Sequence, residues 1–341
     1  MKNKKTLLTL TISSSLFAFA NSDFVTIVNG NSVTYLGDNF KEETTYTEWA
    51  FDRSDNCNTD AVASSYYYNT DFTANTICNN VESRTATVIR KYSGGKEEVI
   101  STTKEERISG QTTTSTTAKG SHLETTCKGI QSFNGSLPSG EYTINPSSNM
   151  QVYCDMTTSG GGWTLVQREA MANGGINEAL YTNYPVNEGQ PLIGSQYRMS
   201  KSNMALIKSL TTEMRVDCRG SDHLETGSSN LFNGEGGSND CYNNTNVFYT
   251  SASLKGYHKT NITMCTWNTG VGAGVGKGCA GAFHIDEAAQ SGYGCGLSNF
   301  QWNNGTPTVR HSTDSFAIAV VSKDSTTDCH KSNAERYIML R

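Results

Sequence analysis

The stretch Val152-Tyr-Cys-Asp-Met-Thr-Thr-Ser-Gly-Gly-Gly-Trp-Thr-Leu-Val166 constrains this chain more than any other. A cysteine and an acidic residue lead into a polar turn, three glycines, a tryptophan and an apolar run. Consecutive glycines permit positive φ and let backbone or an aromatic ring approach closely. Trp163 and Leu165 then begin a strand able to enter a core. A chain of 341 residues is long for one domain, so two are expected.

The cysteines set the compartment. All ten, at Cys57, Cys78, Cys127, Cys154, Cys218, Cys241, Cys265, Cys279, Cys295 and Cys329, follow an N-terminus that reads as an export signal. Lys2, Lys4 and Lys5 precede a mostly apolar run from Leu7 to Phe19, and Ala18-Phe19-Ala20 offers a cleavage site. That run is shorter than the roughly 20 residues a bilayer requires, and no later segment is apolar enough to span one. Residues 1–20 are therefore expected to be a signal peptide on a secreted or cell-surface protein. An even cysteine count in an exported chain implies disulfides, and no C-x-x-C pair with matching histidines suggests zinc. Nearness in sequence suggests the pairs 57–78, 127–154, 218–241, 265–279 and 295–329, although spacing leaves the connectivity open. A net charge of −5 supplies no basic excess for nucleic acid.

Residues 21–109 read as a small β-rich domain. Residues 81–92 are rich in Thr, Val and Ile, Ser93-Gly-Gly-Lys96 turns the chain, and residues 97–108 return as a hairpin. Residues 110–126 contain a Thr/Ser-rich stretch almost without apolar side chains, expected to be a linker. The second domain, 127–341, alternates strand and helix signals. Ser200 can cap a helix that places Met204, Ile207 and Leu210 on one face, and residues 211–218 read as a strand. Phe316-Ala-Ile-Ala-Val-Val321 reads as a covered central strand, and Glu335-Arg-Tyr-Ile-Met-Leu-Arg341 as another. The fold class is α+β, with few helices and long loops pinned by cysteines.

Cys127, Pro138-Ser-Gly-Glu-Tyr-Thr-Ile144, Tyr153-Cys-Asp155, Gly160-Gly-Gly-Trp-Thr-Leu-Val166 and Ile338-Met-Leu-Arg341 together resemble the fibrinogen C-terminal-like domain and the related intelectin lectins. The resemblance covers residues 127–341 and implies a Cys127–Cys154 disulfide. Cys279-Ala-Gly-Ala-Phe-His-Ile-Asp-Glu287 and Cys295-Gly-Leu-Ser-Asn-Phe-Gln-Trp302 follow the intelectin order. By that resemblance Glu287 would ligand calcium, which holds a sugar diol, Trp302 would form an aromatic wall, and His311 would stand where a second aromatic belongs. Lys277 replaces an expected histidine, and Leu297 an expected acidic residue.

Calcium takes several oxygen ligands, which Asp286, Glu287, Asn268 and Asn299 would supply if the loops converge. Trp302 lies among asparagines, a setting suited to stacking on a sugar, with His284, His311 and Tyr293 lining the same pocket. The alternatives are a solvated acidic loop, of about equal weight, and a buried structural tryptophan, the commoner outcome for Trp302. No G-x-S-x-G, H-E-x-x-H, P-loop or dinucleotide fingerprint suggests catalysis. The sequence thus points to a secreted, non-enzymatic, calcium-assisted binder of glycans or glycoproteins, its weak single sites multiplied by avidity in a homo-oligomer. The alternative is a surface adhesin or structural module that binds a protein partner, since one fold hosts both activities.

Overall fold

The computed structural model describes residues 26–28, 31–33, 40–170, 175–176, 178–236, 244–254, 256–268, 284–285, 316, 318 and 328–341. The expected signal peptide, residues 1–20, lies outside them. The described residues cluster into two compact units, one drawn from Met1–Ala61 and Thr73–Thr117, the other from Val62–Phe72 and Ala118–Arg341.

The first unit is all β. β1 (Thr26–Val28) and β2 (Asn31–Val33) form a two-stranded hairpin. β3 (Phe40–Tyr46) and β4 (Ala50–Thr59) run one after the other along β5 (Asp71–Tyr92), and Thr47 continues the ladder between them by donating to the Thr85 carbonyl at 3.0 Å. β6 (Glu97–Lys119) pairs with β5 across the expected glycine turn, where Gly95 has φ +82°. The Cys57–Cys78 disulfide ties β4 to β5 as neighbours in sequence suggested. Residues 110–119, expected in a linker, instead continue β6. Threonine favours extended backbone, and the β5 ladder supplies the partners that the local composition does not reveal. Little apolar surface is buried here: Ala74, Val81 and Ala86 are the buried hydrophobic residues among the described part of this unit. Charged and aromatic side chains instead contact one another across its faces. The Trp49 ring lies between the guanidinium groups of Arg84 and Arg107, 4.6 and 4.4 Å from its centre, and Arg53 pairs with Glu106 at 2.8 Å.

The second unit is built on one antiparallel sheet. In chain order its elements are α1 (Cys127–Phe133), β7 (Gly140–Ile144), β8 (Met150–Asp155), β9 (Trp163–Ala170), β10 (Tyr197–Arg198), α2 (Lys201–Ser209), β11 (Glu213–Asp217), β12 (His223–Gly227), β13 (Asn244–Leu254), β14 (Tyr257–Trp267), β15 (His284–Ile285) and β16 (Glu335–Leu340). The sheet order is β15-β14-β13-β12-β11-β16-β9-β8-β7, with β10 added beside β9. The C-terminal strand β16 is therefore central, and all eight residues of β9 beside it are buried.

The glycine triplet does what its composition implies. Gly160, Gly161 and Gly162 have φ of +84°, +71° and +76°, and a Cβ on Gly161 would lie 2.0 Å from the Met156 carbonyl oxygen. The turn lets Trp163 bury its ring while its Nε1 donates to the Thr158 carbonyl at 2.8 Å. Cys127 and Cys154 are bonded, which holds α1 against β8. Ser200 caps α2 by accepting from the Asn203 backbone N–H at 3.4 Å, and Met204 and Ile207 are buried.

Three expectations are corrected. Leu210 is exposed, because α2 ends at Ser209 and Leu210 is its C-cap rather than a core position. Phe316 is buried but has φ +72°, a turn conformation incompatible with a strand at that residue; Ile318 is also buried, and the rest of 316–321 lies outside the described residues. Cys218 is bonded to Cys329, 111 positions away, so neither the 218–241 nor the 295–329 pairing forms. The antiparallel pairing of β11 with β16 brings the ends of those strands together, a proximity that spacing along the chain cannot report.

Candidate functional site

Four buried polar side chains organise the roots of loops in the second unit. Glu169 on β9 and Arg336 on β16 are direct cross-strand partners. Arg336 Nη2 donates to Glu169 Oε2 at 2.5 Å, and each side chain is only 1% exposed. The pair reaches beyond its strands. Arg336 Nη1 donates to the Phe316 carbonyl at 2.7 Å, while Glu169 Oε1 accepts from the Ile176 N–H at 3.2 Å and from the Gln167 amide. Arg198 on β10 donates to three carbonyls of one loop: Glu178 at 2.8 Å, Ala179 at 2.5 Å and Thr182 at 2.6 Å.

Asn268, the residue that follows β14, is the fourth. Its Oδ1 accepts from the Leu180 N–H at 2.9 Å, and its Nδ2 donates to the Leu231 and Asn233 carbonyls at 3.2 and 3.0 Å. Residues 176, 178–182, 231–233, 268 and 316 are thus tied together by side chains that satisfy loop backbone inside the protein. Charges are used because a guanidinium offers five donors in a rigid fork and can gather several carbonyls at once. The cost is desolvation. Burial pushes the Glu169 carboxyl up and the Arg336 guanidinium down, and each is opposed by the charge of the other. Burial also pulls Arg198 down to about 10, still charged at neutral pH.

A second buried pair closes the region around the Cys218–Cys329 disulfide. Asp328 Oδ2 accepts from the backbone N–H groups of Ser221 and Asp222 at 2.5 and 3.0 Å, and Asp222 Oδ2 accepts from the Asp328 N–H at 2.7 Å. A Cβ at Gly220 would lie 2.2 Å from Asp328 Oδ2, so a side chain there would displace this carboxylate from its partners.

The residues proposed from sequence divide sharply. Asn268 is buried, with its amide engaged by three backbone groups. His284 lies on β15, at the sheet edge opposite Trp267 of β14. Glu287, Asp286, Asn299, Trp302, Tyr293 and His311 lie outside the described residues, as do Cys241, Cys279 and Cys295. Cys265 lies on β14 opposite Asn246. Among the described residues there is no group of three or more His, Cys, Asp or Glu side chains able to hold a metal ion, and no helix is long and apolar enough to cross a membrane.

Glu169, Arg198 and Arg336 were not singled out from sequence. A signal existed: Glu169 and Arg336 adjoin the apolar runs Trp163-Thr-Leu-Val166 and Tyr337-Ile-Met-Leu340, where a charge demands a partner. The identity of that partner was not readable from spacing.

Residues 124–233 match the family of fibrinogen beta and gamma chains, C-terminal globular domain. Angiopoietin-4 from Bos taurus is 37% identical over 95 residues, which is 27% of this chain and 18% of angiopoietin-4. The chain therefore spans under a fifth of that relative. The solved fibrinogen-like globe domain of human ANGPTL6 aligns over 66% of this chain and 97% of its own, with 12% identity and a TM-score of 0.28.

Proposed function

We propose, from the fibrinogen C-terminal-like domain carried by residues 124–233, that this chain is an exported, non-catalytic recognition protein that binds a protein partner through the loops of its second unit. The observation that carries this reading is the use of Glu169, Arg198, Arg336 and Asn268. Their polar groups are turned inward to hold loop roots, which is how a rigid sheet presents loops for contact. Binding through such loops needs area and shape rather than a poised acid or base.

The glycan reading is kept as a second proposal because of one placement. β15 sets His284 beside the end of β14, two residues before the Asp286-Glu287 pair that the intelectin resemblance assigns to calcium.

One experiment separates the two. The full chain, with its disulfides formed, is applied to extracellular target cells that are untreated, deglycosylated, protease-treated or washed with EDTA. Binding that survives deglycosylation and EDTA but is lost after protease supports the protein-partner reading. Binding lost on deglycosylation overturns it in favour of the lectin. If EDTA and Glu287→Gln abolish that glycan binding together, calcium at Glu287 is supported.

A further inference from the structure

We propose that β6 is a self-association edge, along which two copies of this chain pair antiparallel about a two-fold axis at Ile108. β5 has β3 and β4 along one edge and β6 along the other, so the outer edge of β6 presents its own row of backbone donors and acceptors. Among the described residues no strand pairs with that edge. At 23 residues it is far longer than the edge strands that monomeric proteins leave open. The usual protections are missing along its second part. From Ser109 to Ala118 there is neither a proline nor a charged residue, only a run of Thr, Ser, Gln, Gly and Ala. Val99 and Ile108 on this strand are 61% and 63% exposed, and the unit buries almost no apolar surface of its own.

A second copy is the occupant that the charges select. Residues directly opposite in an antiparallel pair share a face, so their charges meet. With the axis at Ile108, Glu97 of each copy faces Lys119 of the other, which gives two complementary pairs across the full strand. The remaining charges at Glu98, Lys104, Glu105, Glu106 and Arg107 then face Ala118, Thr112, Gln111, Gly110 and Ser109, all uncharged. Moving the axis to Arg107 or Glu106 would set Arg107 or Glu106 against its own copy, a like-charge contact. Within one chain Lys119 pairs with Asp71 at 2.7 Å and Glu97 lies 3.5 Å from Lys91, so both side chains are already held at the strand ends.

Sedimentation equilibrium of the full chain tests this directly, with circular dichroism confirming that each variant is folded. The wild type is expected to show a concentration-dependent monomer–dimer equilibrium. Ile108→Lys places two lysines opposite each other at the axis and should weaken the dimer by about tenfold or more. Ile108→Thr keeps a β-branched residue there and should retain the dimer. Glu97→Lys and Lys119→Glu should each weaken it, and the double exchange should restore it. A wild type that stays monomeric, a dimer unaffected by Ile108→Lys, or a double exchange no better than either single variant would overturn the proposal.

Discussion

Arg336 and Glu169 face each other across two adjacent strands, 167 positions apart in sequence, with a 2.5 Å hydrogen bond in a site excluded from water. The pair links the last strand of the chain to the strand that follows the glycine turn. Arg336 carries the link onward to the Phe316 carbonyl, so one ion pair joins two strands of the sheet to a loop.

Removing one partner strands the other as an uncompensated charge. Glu169→Gln should lower stability by about 3–5 kcal/mol, whereas Glu169→Leu with Arg336→Met should cost less than the sum of the two single changes. Urea unfolding of the single and double variants checks this, and strict additivity would contradict the coupling.

Arg198 gathers three carbonyls of the segment 178–182. Arg198→Met removes their donors and should cost about 1–3 kcal/mol. Amide hydrogen exchange should rise at residues 179–182 ahead of the central strands β16 and β9. Uniform exchange across the sheet would argue that the contact does not organise this loop.

Acid should loosen the region around the long-range disulfide. Burial alone would raise the Asp328 carboxyl, but Lys331 and the N–H groups of Asp222 and Ser221 hold it below the usual aspartate value. Asp155 behaves alike: burial raises it, and the Thr158 and Thr157 hydrogen bonds with Arg219 outweigh that effect. A folded-state value below the unfolded one contributes stability that is present above the unfolded value and lost as pH falls through the folded one. Stability should therefore drop as pH falls below about 4. Asp328→Asn should be less stable at pH 7 and show a shallower acid dependence, measured by thermal melts across pH 2–6.

Non-reducing peptide mapping should recover Cys218 and Cys329 in one disulfide-linked species. Replacing both by Ala should cost about 2–5 kcal/mol, since a cross-link over a loop of about 100 residues restricts the unfolded chain strongly on the chain-entropy model. Recovery of a Cys218–Cys241 peptide would contradict the fold at this point.

Gly161→Ala should destabilise by more than about 1 kcal/mol, because it combines a positive φ with a clash against the Met156 carbonyl. Near-ultraviolet circular dichroism of the buried Trp163 gives the readout. An unchanged tryptophan signal and melting temperature would refute the account of this turn.

What the sequence by itself determined is local. Three glycines ahead of Trp163 demand a left-handed turn, Ser93-Gly-Gly-Lys96 demands a hairpin, and Ser200 caps a helix, because each depends on the conformational freedom or hydrogen bonding of a few consecutive residues. The fibrinogen-like resemblance was legible for the same reason, since its motifs are short and contiguous. Only the tertiary structure decided that residues 110–119 form a strand, that Leu210 faces water and that Cys218 meets Cys329. It alone showed that Asn268 ties three loop backbone groups and joined Glu169 to Arg336. These outcomes depend on which strand lies beside which and in what register. Register is set by burial summed over the whole sheet, a quantity that no short window of residues contains.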